Sequence, residues 1–573
     1  MKEFDPNEFD TLPKLLVKCA REAGDKVSMV KKTLGIWKEY TWNDYLTEVK
    51  YFALGLEQLG FARGDKLAIV GDNEPEWYWA ELAGQSLGGV VVGIFSDAIA
   101  SEIEYLLRHS GSQFVVASDQ EQVDKLLDLK DGLPGIKKVI FWDYQGLDSD
   151  DDPILVSWDT LRDLGEKFDR EHPGAFDEHV SAGNGDDVCL YMYTSGTSGV
   201  QKGAIRTHMS FINAALLWKE EFGIIDDDRR LSFYSPAWIL EQVEGVAASL
   251  VSGQKCFFPE NAGTAMRDMR EVGPTMFFTA SRIWEGLAST IQIRIIDSSR
   301  LKRFVFNTFL PFGQKMSRIA LEKRKPPFWL HLLYKVGDFL VFAQLRDRMG
   351  LLKVRAGITA GALLSPEAFG YFWAIGIPIR QVYGLTEMAP IAMHTRDDID
   401  ENTLGSVPRG VEAKITEEGE VIARGNCMFS GYYDNPEANE EALRDGWFYT
   451  GDWGHFDDKG HLLIFDRLKS AVVMKNGSKL APQYLESRLK FSPYINDAIV
   501  IGGGEYDFVS VLINIEFDNV AKWADKRGLN YLTFTDLSQK NDVCDLIREE
   551  INKLNDKIPE EMHIRKFINL YLG

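Results

Sequence analysis

An alternation of short apolar runs with helical patterns constrains the fold of this chain most. Residues 66–70 and 90–95 are apolar runs typical of buried strands, and residues 74–88 between them have helical spacing. The same alternation continues through residues 101–142. Strands that alternate with helices in this way form parallel sheets covered by helices. The pattern therefore predicts a layered α/β fold with a largely parallel sheet.

The chain is long enough for more than one folding unit. Its 573 residues exceed what one hydrophobic core organises, so we expect at least two domains. We place the boundary near Asp466, which gives a large layered N-terminal domain (1–465) and a small α+β domain (466–573). The elements predicted for the small domain are a hairpin-like segment at 471–477, helices at 482–490 and 520–527, and strands at 498–501 and 509–515.

A loop rich in glycine and hydroxyl groups follows the apolar run at 188–192. It reads YTSGTSGVQKG over residues 193–203. Glycines let backbone N–H groups approach an anion, the hydroxyls donate to phosphate oxygens and the lysine adds positive charge. It is not a Walker P-loop, because Lys202 precedes Gly203 and no Ser or Thr follows. A solvated surface loop is the alternative, but its place after a buried strand favours phosphate binding. The candidate residues are Thr194, Ser195, Gly196, Thr197, Ser198, Gly199, Lys202 and Gly203.

Four more segments follow the loop in order. They are Gly361-Ala362, QVYGLTE at 381–387, YTGDWG at 449–454 and DRLK at 466–469. Together with the loop, they resemble the motifs of the adenylate-forming superfamily, the acyl-CoA synthetases and their relatives. The resemblance runs over roughly residues 40–567. It implies that the chain joins a carboxylate to AMP and passes the acyl group to the thiol of coenzyme A.

The resemblance assigns the phosphate and metal contacts. Lys202 and the loop hydroxyls suit the β- and γ-phosphates of ATP, Thr386 resembles the donor to the α-phosphate, and Glu387 resembles the Mg²⁺ ligand. One or two carboxylates plus substrate phosphates usually hold Mg²⁺. Alone, a Thr-Glu pair more often marks a helix start. Its position after Tyr383 and Gly384 favours the metal role.

The nucleoside contacts follow from the same motifs. Tyr383 offers a stacking face for adenine, and the small residues Gly361 and Ala362 let the backbone approach the ring. Asp452 can accept from both ribose hydroxyls, and Arg467 can donate to the ribose. An Asp after Gly is usually a turn residue, but the surrounding motif favours ribose binding.

The small domain resembles the mobile C-terminal domain of the family. Lys469 sits where the family keeps its hinge, about which that domain rotates between adenylation and thioester formation. Gly477 lies where a small residue admits the pantetheine arm of coenzyme A. The family carries a catalytic lysine near its extreme C-terminus. Since residues 567–573 do not match that motif, we expect the domain to be truncated before it.

Residues 300–348 differ from the rest of the chain. They hold eleven Lys/Arg and three Asp/Glu, interleaved with aromatic and aliphatic residues. Such segments contact membrane interfaces, although a helical pair packed on the main domain is compatible. An insert here, at about 295–350, also resembles the long-chain subgroup. Trp238 stands where long-chain relatives often carry His, so no role of that histidine is transferred; the indole could gate an acyl tunnel or pack in the core.

Composition restricts the class of binding partner and the cellular compartment. A net charge of −22 argues against nucleic acid, which demands a basic face. Five scattered cysteines, the absence of an apolar segment at the N-terminus and the lack of a membrane-span run predict a cytoplasmic protein. Residues 300–348 add peripheral contact with the inner face of a membrane. The oligomeric state is left open.

The predicted function is ligation of a long-chain fatty acid to coenzyme A through an acyl-adenylate, with ATP and Mg²⁺. Two enzymatic alternatives stay open: an acyl-AMP ligase that delivers to a carrier protein, and a ligase for aryl or other carboxylic acids. A non-catalytic protein that binds acyl groups or nucleotides is the alternative from another class.

Overall fold

The computed structural model describes residues 5–147, 152–195, 201–475, 479–504, 506, 508–556, 558 and 560–571, with the backbone alone at 195 and 561. Its strands are β1 Val27–Thr33, β2 Ile36–Thr41, β3 Lys66–Val70, β4 Val90–Ile94, β5 Phe114–Ala117, β6 Lys138–Phe141, β7 Leu155–Ser157, β8 Val188–Ser195, β9 Gln201–Thr207, β10 Arg229–Leu231, β11 Lys255–Phe258, β12 Met276–Ala280, β13 Ala356–Ala360, β14 Ile379–Leu385, β15 Met388–Met393, β16 Val411–Ile415, β17 Glu420–Gly425, β18 Leu443–Arg444, β19 Trp447–Phe456, β20 Leu462–Arg467, β21 Val472–Val473, β22 Lys479–Leu480, β23 Ile495–Ile501, β24 Val509–Ile515 and β25 Ile564–Asn569.

The helices alternate with the strands over most of the chain. They are α1 Leu12–Ala23, α2 Trp42–Gln58, α3 Pro75–Ser86, α4 Ala100–Ser110, α5 Gln120–Leu129, α6 Trp158–Glu171, α7 Ala175–Ser181, α8 His208–Phe222, α9 Ile239–Glu241, α10 Ala248–Ser252, α11 Ala265–Val272, α12 Ser281–Ile296, α13 Arg300–Leu321, α14 Phe328–Gly337, α15 Ala343–Arg348, α16 Pro366–Ala374, α17 Pro436–Ala442, α18 Pro482–Leu489, α19 Phe517–Asp525, α20 Phe534–Ser538 and α21 Asn541–Asn555. Two π-helical turns, Gln242–Ala247 and Asp338–Phe342, and the 3-10 turn Leu468–Ser470 matter below.

Two large sheets form the body of the N-terminal part. One has the strand order β7-β6-β5-β3-β4-β8-β9, and the other has the order β15-β14-β13-β12-β10-β11-β1-β2. Pairing is parallel except at the β8–β9, β14–β15 and β1–β2 edges, which are antiparallel hairpins. The predicted α/β class with largely parallel sheets is therefore confirmed.

A third, antiparallel sheet contains β16 to β20. It follows the second sheet in the chain and carries the YTGDWG segment on β19. The segment between β17 and α17 contacts both large sheets, through isolated bridges from Met428 to Met388 on β15 and from Tyr432 to Ala204 on β9. Residues of all three sheets line one cavity.

The C-terminal part has its own hydrophobic core. Buried residues from Met474 to Ile564 form one cluster between the β23-β24-β25 sheet and helices α18, α19 and α21. A large N-terminal part and a smaller α+β part are thus confirmed. The boundary at residue 466 and the mobility of the smaller part stay predictions.

The basic, aromatic-rich insert is helical, as its sequence indicates. Helix α13 packs closely on α16, where a Cβ at Gly313 would lie 2.4 Å from the Ala374 carbonyl oxygen. The other face of the insert leaves large apolar side chains exposed, among them Leu301, Phe304, Phe328, Trp329, Leu332, Val336, Phe339 and Leu340. In the described ranges, no helix combines the length and the apolar character needed to cross a membrane.

Candidate nucleotide-binding site

A cavity of about 440 Å³, which we call the nucleotide cavity, lies where the three sheets meet. Its walls come from the β8–β9 hairpin, the turn between β14 and β15, strands β17 and β19, helix α17 and the turn after β20. The predicted site residues in its lining are Thr194, Lys202, Thr386, Glu387, Arg467 and Lys469. The fold therefore gathers residues of the glycine-rich loop, the Thr-Glu pair and the segment 466–469 around one space.

The β8–β9 hairpin presents the loop residues that are described. Its antiparallel register pairs Thr194 with Lys202 and Tyr193 with Gly203. A Cβ at Gly203 would lie 3.1 Å from the Tyr193 ring, so glycine lets the two strands approach here. The Lys202 Nζ lies 5.3 Å from the centroid of the Tyr432 ring, a cation–π distance.

Part of the predicted phosphate loop falls outside the described residues. Gly196, Thr197, Ser198 and Gly199 lie in the gap at 196–200, and Ser195 is described by its backbone alone. Their roles stay predictions.

The Thr386-Glu387 pair forms the turn between β14 and β15. The Arg206 side chain donates to the Thr386 carbonyl oxygen over 2.8 Å, and the Phe429 N–H donates to the Glu387 carbonyl oxygen over 2.7 Å. Both backbone carbonyls of the pair are thereby fixed. A Cβ at Gly384 would lie 2.9 Å from the Ala389 Cα, which explains glycine just before the turn. The pair is therefore a rigid hairpin turn and not a helix start.

Glu387 is largely buried, with 9% of the residue exposed. The Tyr432 hydroxyl donates to its Oε1 over 2.6 Å. Burial and the neighbouring Glu387 carboxylate raise the pKa of Tyr432, so the phenol remains a proton donor at neutral pH. This hydrogen bond orients the carboxylate at the wall of the nucleotide cavity.

Asp452 is the centre of a small polar cluster beside the cavity. The Tyr383 hydroxyl donates to Asp452 Oδ2 over 2.5 Å, and Arg467 Nε lies 3.2 Å from Asp452 Oδ1. Burial raises the pKa of Asp452, and Arg467 opposes that shift. Each carboxylate oxygen has two lone pairs, so both can still accept from a ribose hydroxyl. The sequence did not indicate that Tyr383 and Arg467 would hold this aspartate together.

Gly361 and Ala362 follow β13, next to β14 in the sheet. The parallel register pairs Thr359 with Gln381, and its continuation by two residues places Gly361 beside Tyr383. Gly361 has a φ of +89°, a conformation that other residues rarely adopt. Neither residue lines the nucleotide cavity; they lie on the Tyr383 side of the site.

Lys469 lies in the 3-10 turn Leu468–Ser470 and contacts helix α17. Its Nζ is 2.9 Å from Glu441 Oε1, and both side chains are exposed. The pKa of Glu441 is lowered by Lys469 first and also by Lys202 and Arg444. The turn after β20 is thus tethered to the N-terminal part by a surface ion pair. Gly477 falls in the gap at 476–478, so its role stays a prediction.

The residues present fit a magnesium ion that substrate phosphates help to hold. Among the described residues, no group of three or more His, Cys, Asp or Glu side chains could hold a metal by itself. Mg²⁺ usually needs only one or two carboxylates besides phosphates and water. Glu387, fixed by Tyr432 at the cavity wall, supplies one such carboxylate.

Trp238 lies on the loop before α9, away from the nucleotide cavity. Its ring packs edge-on against Tyr234 at 4.9 Å between centroids. A Cβ at Gly93 would lie 2.9 Å from the Ala237 Cα, so this loop rests directly on strand β4. The structure describes Trp238 as part of an aromatic cluster, and gating by its indole stays a prediction.

Three residues of the site were missed by sequence reasoning: Arg206, Tyr432 and Glu441. The Arg206 guanidinium is fully buried and supports the Thr386 turn. A local signal exists only for Arg206, a charged residue in the strand that follows the loop. The other two act on residues far away in the chain, where no local pattern reveals the contact.

A family model described as AMP-binding enzyme matches residues 16–433. The chain belongs to the AMP-binding enzyme family. The match ends at the segment that carries Tyr432, so it includes the loop, Gly361, the Thr-Glu pair and Tyr432, but not Asp452 or the turn of Lys469.

Curated relatives of this AMP-binding enzyme extend over nearly its whole length. The chain is 26% identical to the "Long-chain-fatty-acid--CoA ligase FadD15" of Mycobacterium bovis, over 98% of this chain and 92% of the relative. It is 28% identical to "Fatty acyl-CoA synthetase A" of Dictyostelium discoideum, over 84% of this chain and 73% of the relative. Both similarities continue beyond the segment that the family model matches.

A solved structure shows the same fold. The anthranilate CoA ligase AuaEII in complex with anthranoyl-AMP superposes with a TM-score of 0.73 at 17% identity, over 100% of this chain and 95% of that one. At this identity the likeness supports the fold alone.

Proposed function

We propose that this AMP-binding enzyme is an ATP-dependent long-chain fatty acid–CoA ligase. First, a carboxylate oxygen of the fatty acid attacks the α-phosphorus of ATP, the bond to the β-phosphate oxygen breaks, and acyl-AMP and pyrophosphate form. Then the CoA thiol attacks the acyl carbonyl, AMP leaves with the bonding electron pair, and the thiol proton passes to solvent. The convergence of Thr194, Lys202, Thr386 and Glu387 on one cavity carries the proposal. The names of the curated relatives support the acyl class.

The protein's part in adenylation is to orient reactants and neutralise charge. Lys202 follows the negative charge that develops on pyrophosphate as it leaves. Thr386 donates to the α-phosphate from a turn that Arg206 holds in place. Glu387 would hold Mg²⁺, which would neutralise phosphate charge when bound.

The nucleoside lies at the end of the nucleotide cavity that Arg467 lines. Tyr383, beside Gly361 and Ala362, supports the adenine, and Asp452 with Arg467 binds the ribose. The adjoining hydrogen bonds position Asp452 before the nucleotide arrives. This preorganisation reduces the reorganisation needed when substrate binds.

The thioester step requires the C-terminal domain (466–573) to turn against the N-terminal domain (1–465). We place the pivot at Lys469, in the turn directly after β20. Its ion pair with Glu441 is exposed and therefore weak, so it tethers the turn without locking it. Gly477 would border the path of the pantetheine arm.

The protein belongs to the reducing cytoplasm in this proposal. Its insert contacts the inner face of a membrane peripherally. Exposed apolar side chains such as Phe304, Phe328 and Phe339 lie among lysines and arginines in an otherwise acidic protein. Basic amphipathic surfaces of this kind bind anionic lipid surfaces.

An acid panel tests the ligase proposal. ATP–pyrophosphate exchange and thioester formation are measured with long-chain, short-chain and aromatic acids, with and without CoA and with and without a chelator. We expect exchange with long-chain acids that stops on chelation, and thioester only when CoA is present. Acyl-AMP without thioester would identify an acyl-AMP ligase, and preference for an aromatic acid would identify a different substrate class. No exchange with any acid would indicate a binding protein.

A further inference from the structure

A second cavity, which we call the insert cavity, lies among the helices of the insert. Its volume is about 360 Å³, within the size range of small-molecule sites. It is enclosed by the C-terminal half of α12, the start of α13, the π-helical turn Asp338–Phe342 and α15. The apolar side chains in its lining include Ile291, Ile295, Val305, Val341, Leu345 and Met349.

Three basic residues line this apolar space: Arg294, Lys302 and Arg348. None of the described lining residues is an aspartate or a glutamate. Positive groups around an apolar volume suit a ligand with an alkyl chain and an anionic head.

The acidic residues of the insert are already paired with other arginines. Asp338 lies 2.7 Å from Arg346, and Asp347 lies 2.9 Å from Arg270. The third acid of residues 300–348, Glu322, pairs with Arg324. Within the part of the chain that the structure describes, the three cations of the cavity have no ion pair. Their charge is therefore available to a ligand.

The insert cavity opens toward the exposed apolar face of the insert. Two of its lining residues, Leu301 and Leu340, are 72% and 44% exposed.

The insert cavity is separate from the nucleotide cavity. Helix α12 runs between the two regions: the Ser281 hydroxyl at its start donates to the Ala362 carbonyl oxygen, and Ile291 and Ile295 near its end line the insert cavity. Arg294 comes 13 residues after Ser281 in this helix, which is about 20 Å along the helix axis. A carboxylate in the insert cavity is therefore too distant to react with ATP.

We propose that the insert cavity is a peripheral binding site for a long-chain fatty acid anion, with the alkyl chain among the apolar residues and the carboxylate at Arg294, Lys302 and Arg348. This inference rests on the proposed function, because that function makes the free fatty acid the relevant amphiphile. The site would hold the acid at the insert before it reaches the reacting position.

Photo-crosslinking tests this proposal without any turnover. The full-length protein is irradiated with a diazirine-bearing C16 carboxylic acid, in the absence of ATP and CoA, and the adducts are mapped by mass spectrometry. We expect adducts within residues 291–305 and 340–349. The corresponding diazirine alcohol, which lacks the charge, should label these peptides much less, and so should a zwitterionic lysolipid probe.

Two triple variants separate the cavity cations from general positive charge. R294Q/K302Q/R348Q should lower labelling of the cavity peptides roughly tenfold, since three charge contacts of modest strength are lost. The matched control R300Q/K325Q/K335Q removes three exposed charges of the same segment that do not line the cavity, and its labelling should equal that of wild type.

Each outcome decides the proposal. Absence of adducts in these peptides, undiminished labelling in the cavity variant, equal labelling by the alcohol or preferential labelling by the lysolipid would each overturn it. The ligase assay with saturating fatty acid is run on the same samples. A wild type that labels but does not ligate would contradict the proposed function alone, whereas one that ligates without labelling would contradict the peripheral site alone.

Discussion

The nucleotide cavity and the insert cavity both contain basic residues, but they treat the charge differently. In and beside the nucleotide cavity, two cations are paired with carboxylates: Lys469 contacts Glu441, and Arg467 contacts Asp452. Lys202 lies over the Tyr432 ring instead. In the insert cavity, the cations have no ion pair among the described residues, and the walls are mainly apolar. Positive charge is thus partly neutralised in the nucleotide cavity and unpaired in the insert cavity.

The difference fits what each site is proposed to do. A triphosphate brings several charges that must be bound and then released, and paired side chains can exchange partners at little net cost. An amphiphile brings one charge and an apolar chain, so its site needs apolar volume first and positive charge at the edge. Substitutions of charged residues in each region therefore test how much each of them contributes.

The largest effect is expected for the charges of the reacting site. Lys202→Ala, Glu387→Ala and Asp452→Ala should each reduce adenylate formation by roughly 10²-fold or more, the scale for losing one preorganised polar contact. ATP–pyrophosphate exchange measures this step directly.

Two controls accompany these variants. Lys255→Ala removes a lysine on β11 that does not line the nucleotide cavity, and its exchange rate should match wild type. Glu387→Gln retains an acceptor for the Tyr432 hydroxyl but loses the charge, so it should fail like the alanine variant. Wild-type exchange in all three alanine variants would remove the basis for the assigned site.

One fully buried carboxylate, Glu81, sharpens the comparison, because it lacks solvent and its hydrogen-bond donors are neutral amides. Glu81 is fully buried and accepts from Gln242 over 2.7 Å; burial raises its pKa to about 7. The ordinary pKa of a glutamate is near 4.3. At pH values between about 4.3 and about 7, Glu81 has lost its proton in the unfolded chain but keeps it in the folded protein. The stability that protonated Glu81 contributes is therefore fully present below this pH range. As pH rises through the range, the free energy of unfolding falls by about 1.4 kcal/mol per pH unit.

Unfolding midpoints in urea at pH 5, 6 and 7 test this sign. We expect Glu81→Gln to gain stability relative to wild type as pH rises. A difference between the two proteins that stays constant across these pH values would show that Glu81 is ionised in the fold.

An intermediate effect is expected at the hinge. Lys469→Pro should spare acyl-AMP formation and slow thioester formation at least about tenfold, or 1.4 kcal/mol in barrier height, because proline restricts φ at the pivot. Rapid-quench measurement of each half-reaction separates the two effects. Lys469→Ala is the control, since it removes only the exposed ion pair with Glu441 and should change either step little. If proline and alanine behave alike, residue 469 is not the pivot.

The smallest effect is expected from single exposed charges of the insert. Binding to anionic vesicles should weaken with salt, and replacement of Lys335 by Gln should weaken it by about 1 kcal/mol, roughly fivefold. Vesicle co-sedimentation at low and high salt measures this. Lys255→Gln, outside the insert, serves as the control. Vesicle binding that does not depend on salt, or none at low salt, would contradict peripheral contact through the insert.

Local sequence predicted the regular elements of the fold well where the apolar pattern is strong. The strands expected at 66–70 and 509–515 have the same bounds in the structure. The helix expected at 74–88 ends two residues earlier, since Gly88 adopts a positive φ and forms the turn into β4. The antiparallel sheet of β16 to β20 was not predicted, although β16 reads Val-Glu-Ala-Lys-Ile, the alternation of a half-buried strand.

The motifs by themselves predicted which residue types surround the nucleotide, because a glycine-rich loop, a Thr-Glu pair and a Gly-Asp pair can be recognised from neighbouring residues alone. Tertiary structure decided how those residues are held. Arg206 reaches Thr386, Tyr432 orients Glu387 and Glu441 tethers Lys469, each across a long stretch of chain. The insert shows the same division. Its composition indicated excess positive charge, but the apolar cavity forms only where α12, α13 and α15 pack together. The ion pair of Asp347 with Arg270 likewise depends on the fold. Contacts between distant residues depend on the folded path of the chain and not on neighbours in sequence.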